Sequence, residues 1–427
     1  MRYYIIAGEA SGDLHGSNLM KGLYTEDPQA EIRFWGGDLM NMVYMQNSGR
    51  ADGSNRNDGR RTEGETDRES SGTDGLRAGG GLVRHYKEGA IMGFWEVFTH
   101  ASKLLGNVRF CKHDILAWKP DAVILIDYPG FNFKIAEFAH SHGLKVFYYI
   151  APKVWASREG RIRKLKKYVD MLFIVFPFEI PYFKSKGVNF IYKGNPLVDA
   201  VDGSDAAAES REDFLKRNGL PDKPIIAMLA GSRKGEISTM MPVLTEFAGK
   251  MAALPEYRGW QFLIAGAPAR SMEDYAPYLT KYAGPDIRVL FGQTQEIIRN
   301  AEAAVVNSGT ASLETVLLNT PQVVGYRMNG LTYLIGKHII KIGYISLGNL
   351  IADRLVFKEF IQDECNADNL VKEVRLLIED REYRQKMLNG YASIRRDLGG
   401  SGASSAVAKE MIRLLKAELS LPGARRT

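Results

Sequence analysis

AVILIDYPGFN, residues 122–132, is the stretch that decides the fold: five unbroken apolar residues, an aspartate, then a Tyr-Pro-Gly turn into a helix. An apolar run without alternation reads as a strand covered on both faces. A carboxylate at the carboxyl end of such a strand stands where open α/β sheets bind ligands. Outward from it, the same strand-then-helix rhythm appears at residues 2–7 (RYYIIA), 145–150 (KVFYYI) and 171–175 (MLFIV). The rhythm restarts after Pro196, with apolar runs at 225–229, 262–265, 287–290, 303–306 and 322–325. Strands alternating with amphipathic helices predict an α/β fold of two parallel sheets wrapped by helices, with a cleft between the two units. The expected boundary lies near residue 200, giving units of 1–200 and 201–427, the second ending in helices from about residue 366.

Composition agrees with a large soluble-type core and excludes several classes. Of 427 residues, 45% are hydrophobic and 25% charged, and the net charge is +6. That mild excess suits an acidic substrate or an anionic membrane face without choosing between them. Cys111 and Cys365 are too few for a disulfide framework or thiolate metal site. No run approaches the roughly 20 apolar residues of a spanning helix, and the amino terminus has no basic leader before an apolar run. A cytoplasmic location with peripheral membrane contact is the expectation. Residues 47–75 break the rhythm, since Ala51 is their single aliphatic residue. Such a segment buries too little to offset its ordering entropy, so a disordered insertion is expected. Its acids balance its arginines, so nucleic acid is not an expected partner.

The loops that follow the strands carry the chemistry. Gly8-Glu9-Ala10-Ser11-Gly12-Asp13 is a small-residue turn that lets backbone approach a ligand, with Asp13 able to cap the next helix. It is not a dinucleotide fingerprint, and a plain turn answers the pattern equally well. Asp127, flanked by apolar residues, suits a general base of raised pKa for a sugar hydroxyl; a turn aspartate before Pro129 is the alternative. Lys153 and Trp155 follow the strand at 145–150, placed to meet an anion and cover a sugar, or merely to pack. In the second unit, Ser232 and Arg233 begin one helix, and Ser308, Gly309 and Thr310 begin another. Two small polar turns at helix starts suit a diphosphate. Glu314, one turn further on, is placed for ribose hydroxyls or for a capping box. Phe94, Trp95 and Phe98, interleaved with cations further on, describe an interfacial helix, with full burial as the rival. No carboxylate pair or His/Cys cluster predicts a metal, no cofactor is expected, and no Gly-x-Ser-x-Gly elbow occurs.

Taken in order, AGEASGD, MGFWEV, LIDYPGFN, APKVWA, LAGSRKGEI, NSGTASLE, VGYRMN and ISLGNLIADR closely resemble the lipid-A-disaccharide synthase family, over nearly the whole chain outside 47–75. The resemblance implies a GT-B-like fold of two Rossmann-like lobes. It implies an inverting, metal-independent transfer from UDP-2,3-diacylglucosamine to 2,3-diacylglucosamine 1-phosphate (lipid X), forming a β-1,6 bond at the inner face of the inner membrane. By the same resemblance Asp127 matches the base, Arg233 the phosphate-binding arginine, Glu314 the ribose contact, Asn349 a cleft asparagine, and Glu9 and Ser11 the first-lobe loop. A homodimer stays open. Asn195 stands where many relatives carry histidine, so that role does not transfer. Another UDP-sugar enzyme of the same fold, or an inactive membrane-associated UDP-binding module, are the alternatives.

Overall fold

The computed structural model describes residues 1–51, 79–89, 101–155, 159–204, 208–279, 285–327 and 343–419. Seven parallel strands form the first sheet: β1 (Arg2–Ala7), β2 (Glu31–Gly36), β3 (Gly81–His85), β4 (Ala122–Ile126), β5 (Lys145–Tyr149), β6 (Met171–Ile174) and β7 (Phe190–Tyr192). Their spatial order is β3-β2-β1-β4-β5-β6-β7. The second sheet holds β8 (Ile225–Leu229), β9 (Gln261–Gly266), β10 (Asp286–Phe291), β11 (Ala303–Asn307), β12 (Gln322–Tyr326) and β13 (Glu359–Ile361), in the order β10-β9-β8-β11-β12-β13. Both sheets run outward from a central pair, β1/β4 in one and β8/β11 in the other. At such a reversal of strand order the flanking loops part and leave a crevice at the carboxyl ends.

The central strands are buried throughout, and helices cover both faces. In the first lobe, one face packs around Tyr4, Val123, Leu125 and Tyr148, and the other around Ile5, Ile124 and Phe147. Their all-apolar character follows from this two-sided cover. β2 is an instructive exception, because it buries Arg33. The guanidinium meets Asp114 at 2.7 and 2.9 Å, and Asp114 also accepts the Tyr4 hydroxyl at 2.7 Å, so the charge is paired and hydrogen-bonded.

By sequence order the last helix, Ala403–Leu419, belongs with the second unit; in space it packs into the first. Val407, Ala408, Met411, Ile412 and Leu415 join the core made by Leu19, Met20 and Leu23 of the helix Ala10–Glu26. A Cβ at Gly22 would lie 2.9 Å from the Ala408 methyl, so glycine permits this close approach. The Asp199 carboxylate caps the returning helix, accepting N–H groups of Ala403 and Ser404 at 3.2 and 2.7 Å. An amphipathic pattern shows that a helix has an apolar face, not which lobe receives it, so the first lobe gains this terminal helix.

The same junction buries His15, whose Nδ1 has no protein partner. Burial holds its pKa down to about 4, with Asp199 pulling the other way. The unfolded chain therefore binds a proton from about pH 6.5 downward while the native state refuses it until about 4, so stability falls as pH drops through that window. We expect wild type to lose about 2–3 kcal/mol more than His15→Gln between pH 7 and 4.5, measured by urea unfolding at each pH. Equal losses would show that His15 takes its proton freely.

Residues 47–51 continue the helix Asp38–Ala51 rather than starting the insertion; the remainder of 47–75 lies outside the described residues. So do Phe94, Trp95 and Phe98. Among the described residues no helix is long and apolar enough to cross a membrane.

Candidate active site

The crevice at β1/β4 brings Glu9 and Asp127 together. Glu9 precedes the helix Ala10–Glu26 in extended backbone and makes no capping bond, which leaves its carboxylate to pair with Arg233 of the second lobe. Ser11 is exposed in the first turn of that helix. Asp13 instead faces inward: it accepts the N–H groups of Gly37, Leu39 and Met40 at 2.7, 3.1 and 3.1 Å, and so caps the helix after β2, not its own. Gly8 is required because the Tyr128 ring lies on it; a Cβ would sit 2.4 Å from ring carbons.

Asp127 and Tyr128 both adopt left-handed backbone, at φ 43° and 46°. For non-glycine residues this costs of order 1–3 kcal/mol each and persists where the surroundings over-determine it. Here the main-chain carbonyl of Asp127 is held twice, by the Asn132 amide at 2.7 Å and the Tyr148 hydroxyl at 2.6 Å. The turn is thus fixed through its backbone, leaving the half-buried carboxylate to face the crevice. Burial raises the Asp127 pKa to about 6, and Glu9 adds to the rise; Lys153, the Tyr128 N–H and Arg233 oppose it. Lys153 is exposed on the loop after β5, and Trp155 is half-buried, its indole N–H on Glu179 at 3.2 Å.

The β8/β11 crevice supplies the facing wall. After β8, Gly231 takes φ 104° and turns the chain into the helix Lys234–Ala253. The N–H groups of Ser232 and Arg233, expected to serve a diphosphate, are taken by the Glu236 carboxylate at 3.0 and 3.2 Å. What this turn offers outward is the Arg233 side chain. It reaches Glu9 of the first lobe at 3.3 Å and Glu236 at 3.5 Å. Burial works against its charge, but Glu9, Glu236 and the Tyr326 hydroxyl nearby raise its pKa. After β11, the helix Thr310–Leu317 begins at Gly309 with no side chain capping it, which leaves an N-terminus for an anion. Ser308 gives its hydroxyl to the Ile345 carbonyl at 3.1 Å, and Thr310 is exposed.

Glu314 and Asn349 sit differently from the rest. Glu314 accepts the Gln295 amide at 2.7 Å, and burial raises its pKa, so it forms no capping box and one oxygen stays uncommitted. Asn349 is fully buried and saturated. Its amide donates to the Phe357 carbonyl and Glu359 at 2.9 and 2.8 Å, and its oxygen accepts N–H groups of Val356 and Phe357. With all four bonds made inside the protein, Asn349 fixes the 345–349 turn behind Ser308 and does not open to the crevice. Glu359, Glu236, Tyr326, Asn132 and Glu179 carry this framework; Asn132, Glu236 and Tyr326 lie inside the quoted motifs without a role read for them there, and Glu179 and Glu359 lie outside any motif. Among the described residues no group of three His, Cys, Asp or Glu could hold a metal ion.

Comparisons with known proteins fit this geometry. Residues 73–409 match the family model described as lipid-A-disaccharide synthetase. The chain is 35% identical over 415 residues to the lipid-A-disaccharide synthase of Geobacter metallireducens, covering 97% of each protein. It is 32% identical to that of Myxococcus xanthus over 417 residues, again 97% of each. In fold it is similar to the UDP-GlcNAc 2-epimerase from Neisseria meningitidis bound to UDP-GlcNAc, with TM-score 0.64 at 12% identity, over 97% of this chain and 100% of that one. The S. aureus MnaA–UDP co-structure gives 0.62 at 14% identity over all of both chains. At such identity the likeness shows the fold alone, a GT-B arrangement of two lobes. The chain therefore belongs to the lipid-A-disaccharide synthetase family, glycosyltransferases of lipid A biosynthesis.

Proposed function

We propose that the chain moves the sugar of UDP-2,3-diacylglucosamine onto the 6-hydroxyl of 2,3-diacylglucosamine 1-phosphate, releasing UDP, while bound peripherally to an anionic membrane on its cytoplasmic side. The observation that carries this reading is the half-buried Asp127 carboxylate in the first lobe, within electrostatic reach of Arg233 from the second. In one displacement, Asp127 accepts the hydroxyl proton as the oxygen attacks the donor's anomeric carbon. The bond from that carbon to the diphosphate oxygen breaks with inversion, and its electron pair leaves on UDP. A base near pKa 6 is ionised at neutral pH yet more basic than a surface aspartate, as proton transfer requires.

Negative charge growing on the diphosphate is met by Arg233 and by the uncapped start of the helix Thr310–Leu317, with Ser232, Ser308 and Gly309 shaping the turns. Glu9 holds the Arg233 guanidinium across the gap until phosphate oxygens compete for it. Glu314, with one oxygen spare, is placed for the nucleoside side, and Asn349 contributes from behind. On the acceptor side, Ile6, Trp35, Tyr128 and Phe131, with Arg84 and His85, line a narrow, water-sized pocket beside the Asp127 turn, which must open to admit an acyl chain. Lys153 and Trp155 close the far side of Asp127.

Mass spectrometry after supplying the two acylated sugars tests the assignment. The expected product is the tetraacylated disaccharide 1-phosphate, with no reaction of UDP-N-acetylglucosamine. Turnover of UDP-N-acetylglucosamine while the acylated pair stays inert would contradict it.

A further inference from the structure

The turn after β6 holds a buried carboxylate that the displacement leaves unused. Glu179 is 1% exposed and opens the helix Glu179–Ser185. One of its oxygens accepts the N–H groups of Val175 and Phe176 at 3.1 and 3.0 Å; the other accepts the Trp155 indole N–H at 3.2 Å. The first two bonds fix the turn, and the third reaches across to the loop that carries Lys153. Trp155 lies edge-on against Phe178, with centroids 4.9 Å apart, and Phe178 stacks on Phe176 at 5.3 Å.

The same turn is tied to the join between the lobes. The Val175 carbonyl accepts the Asn195 amide at 2.9 Å, and Asn195 caps the helix Pro196–Asp202 that leads to the second lobe. Phe176 packs against the cores of both lobes. The Lys153 charge favours the ionised form of Asp127 and of Glu179 alike.

We infer that Glu179 is a positioning residue for the transfer: through the Trp155 indole it holds the 151–155 loop so that Lys153 faces Asp127, and it couples that loop to the interlobe join. This rests on the reading of Asp127 as the base. Burial raises Glu179 to about 7, opposed by the Phe176 and Val175 N–H groups, Trp155 and Lys153. Tyr192, whose own pKa burial and Glu179 push up to about 12, is a further titratable group within electrostatic reach of it. Protonation turns one acceptor oxygen into a donor, so the strap loosens as pH falls through 7.

Glu179→Gln keeps the volume but supplies one acceptor oxygen, enough for the turn or for the indole, not both. Trp155→Phe removes the indole N–H together with one of its two rings, and leaves the Glu179 bonds to Val175 and Phe176 intact. In the full-length enzyme both are expected to lower kcat for lipid transfer by about 10–100-fold, the scale of a misplaced catalytic group. UDP affinity should stay within about twofold, because the second-lobe wall is untouched. The acid limb of kcat/KM should move to higher pH, because Lys153 no longer depresses Asp127. Trp155 emission, taken as the difference between wild type and Trp155→Phe, should titrate near pH 7 and lose that titration in Glu179→Gln. Wild-type kcat and an unmoved acid limb in folded Trp155→Phe would overturn the inference, as would an emission titration that survives in Glu179→Gln. An active Asp127→Asn enzyme would sink the base assignment instead, leaving the emission titration to judge the strap alone.

Discussion

Replacing Asp127 by Asn is expected to cut lipid-dependent UDP release by about 10²–10⁴-fold, the range over which a positioned general base acts. Asparagine keeps the shape of the residue and the backbone bonds from Asn132 and Tyr148, since both go to the main-chain carbonyl. Only the proton-accepting oxygen changes. UDP affinity should therefore stay within about twofold, because Arg233 and the helix start at Thr310 are untouched. Stability should not suffer either. Burial and Glu9 raise the Asp127 pKa to about 6, so above that pH the fold carries an ionised group it disfavours, and a neutral amide removes the cost. The acid limb of wild-type activity, falling as pH drops through about 6, should vanish from the residual rate. Side-by-side turnover, UDP titration and thermal melting check all three; a variant with wild-type turnover would end the assignment.

Arg233→Ala carries the second large effect, an expected loss of about 10²–10³-fold in kcat/KM for the UDP-sugar. A guanidinium paired with a diphosphate makes charge-assisted, bidentate bonds, and removing one such group from a leaving-group site costs about 2.7–4 kcal/mol. The backbone N–H groups beside it cannot compensate, because Glu236 already holds those of Ser232 and Arg233. Arg233→Lys should recover less than about tenfold of the loss, since a point charge does not reproduce the planar fork. Initial rates at varied donor concentration decide it; a variant within twofold of wild type would move the phosphates elsewhere.

How far the sequence alone reaches depends on what each residue must do. The central strands are legible because an unbroken apolar run has few other fates, and the crevice residues follow from where those runs end. β2 escapes because Arg33 interrupts its apolar pattern, and only the structure shows Asp114 neutralising it. β7 and β13 are three residues long, too short for any period. Asp13 reads as a cap for its own helix, yet the chain folds it toward residues 37–40, a contact no local pattern encodes. Asn349 reads as a cleft residue from its motif and turns out to spend all four hydrogen bonds on residues 356–359. Glu236 and Glu179 are missed for a shared reason. Each is an acid near a helix start, the commonest place for one, and its importance lies in which N–H groups it occupies.

One pairing underlies every step: a first-lobe carboxylate set opposite a second-lobe arginine, with the diphosphate between them. A structure of the enzyme with UDP reaches it most directly. The diphosphate should lie between the Arg233 guanidinium and the first N–H groups of the helix Thr310–Leu317, with the Asp127 carboxylate open to the sugar side of the β-phosphate. UDP bound away from Arg233, or an Asp127 side chain turned from the bound nucleotide, would contradict the account.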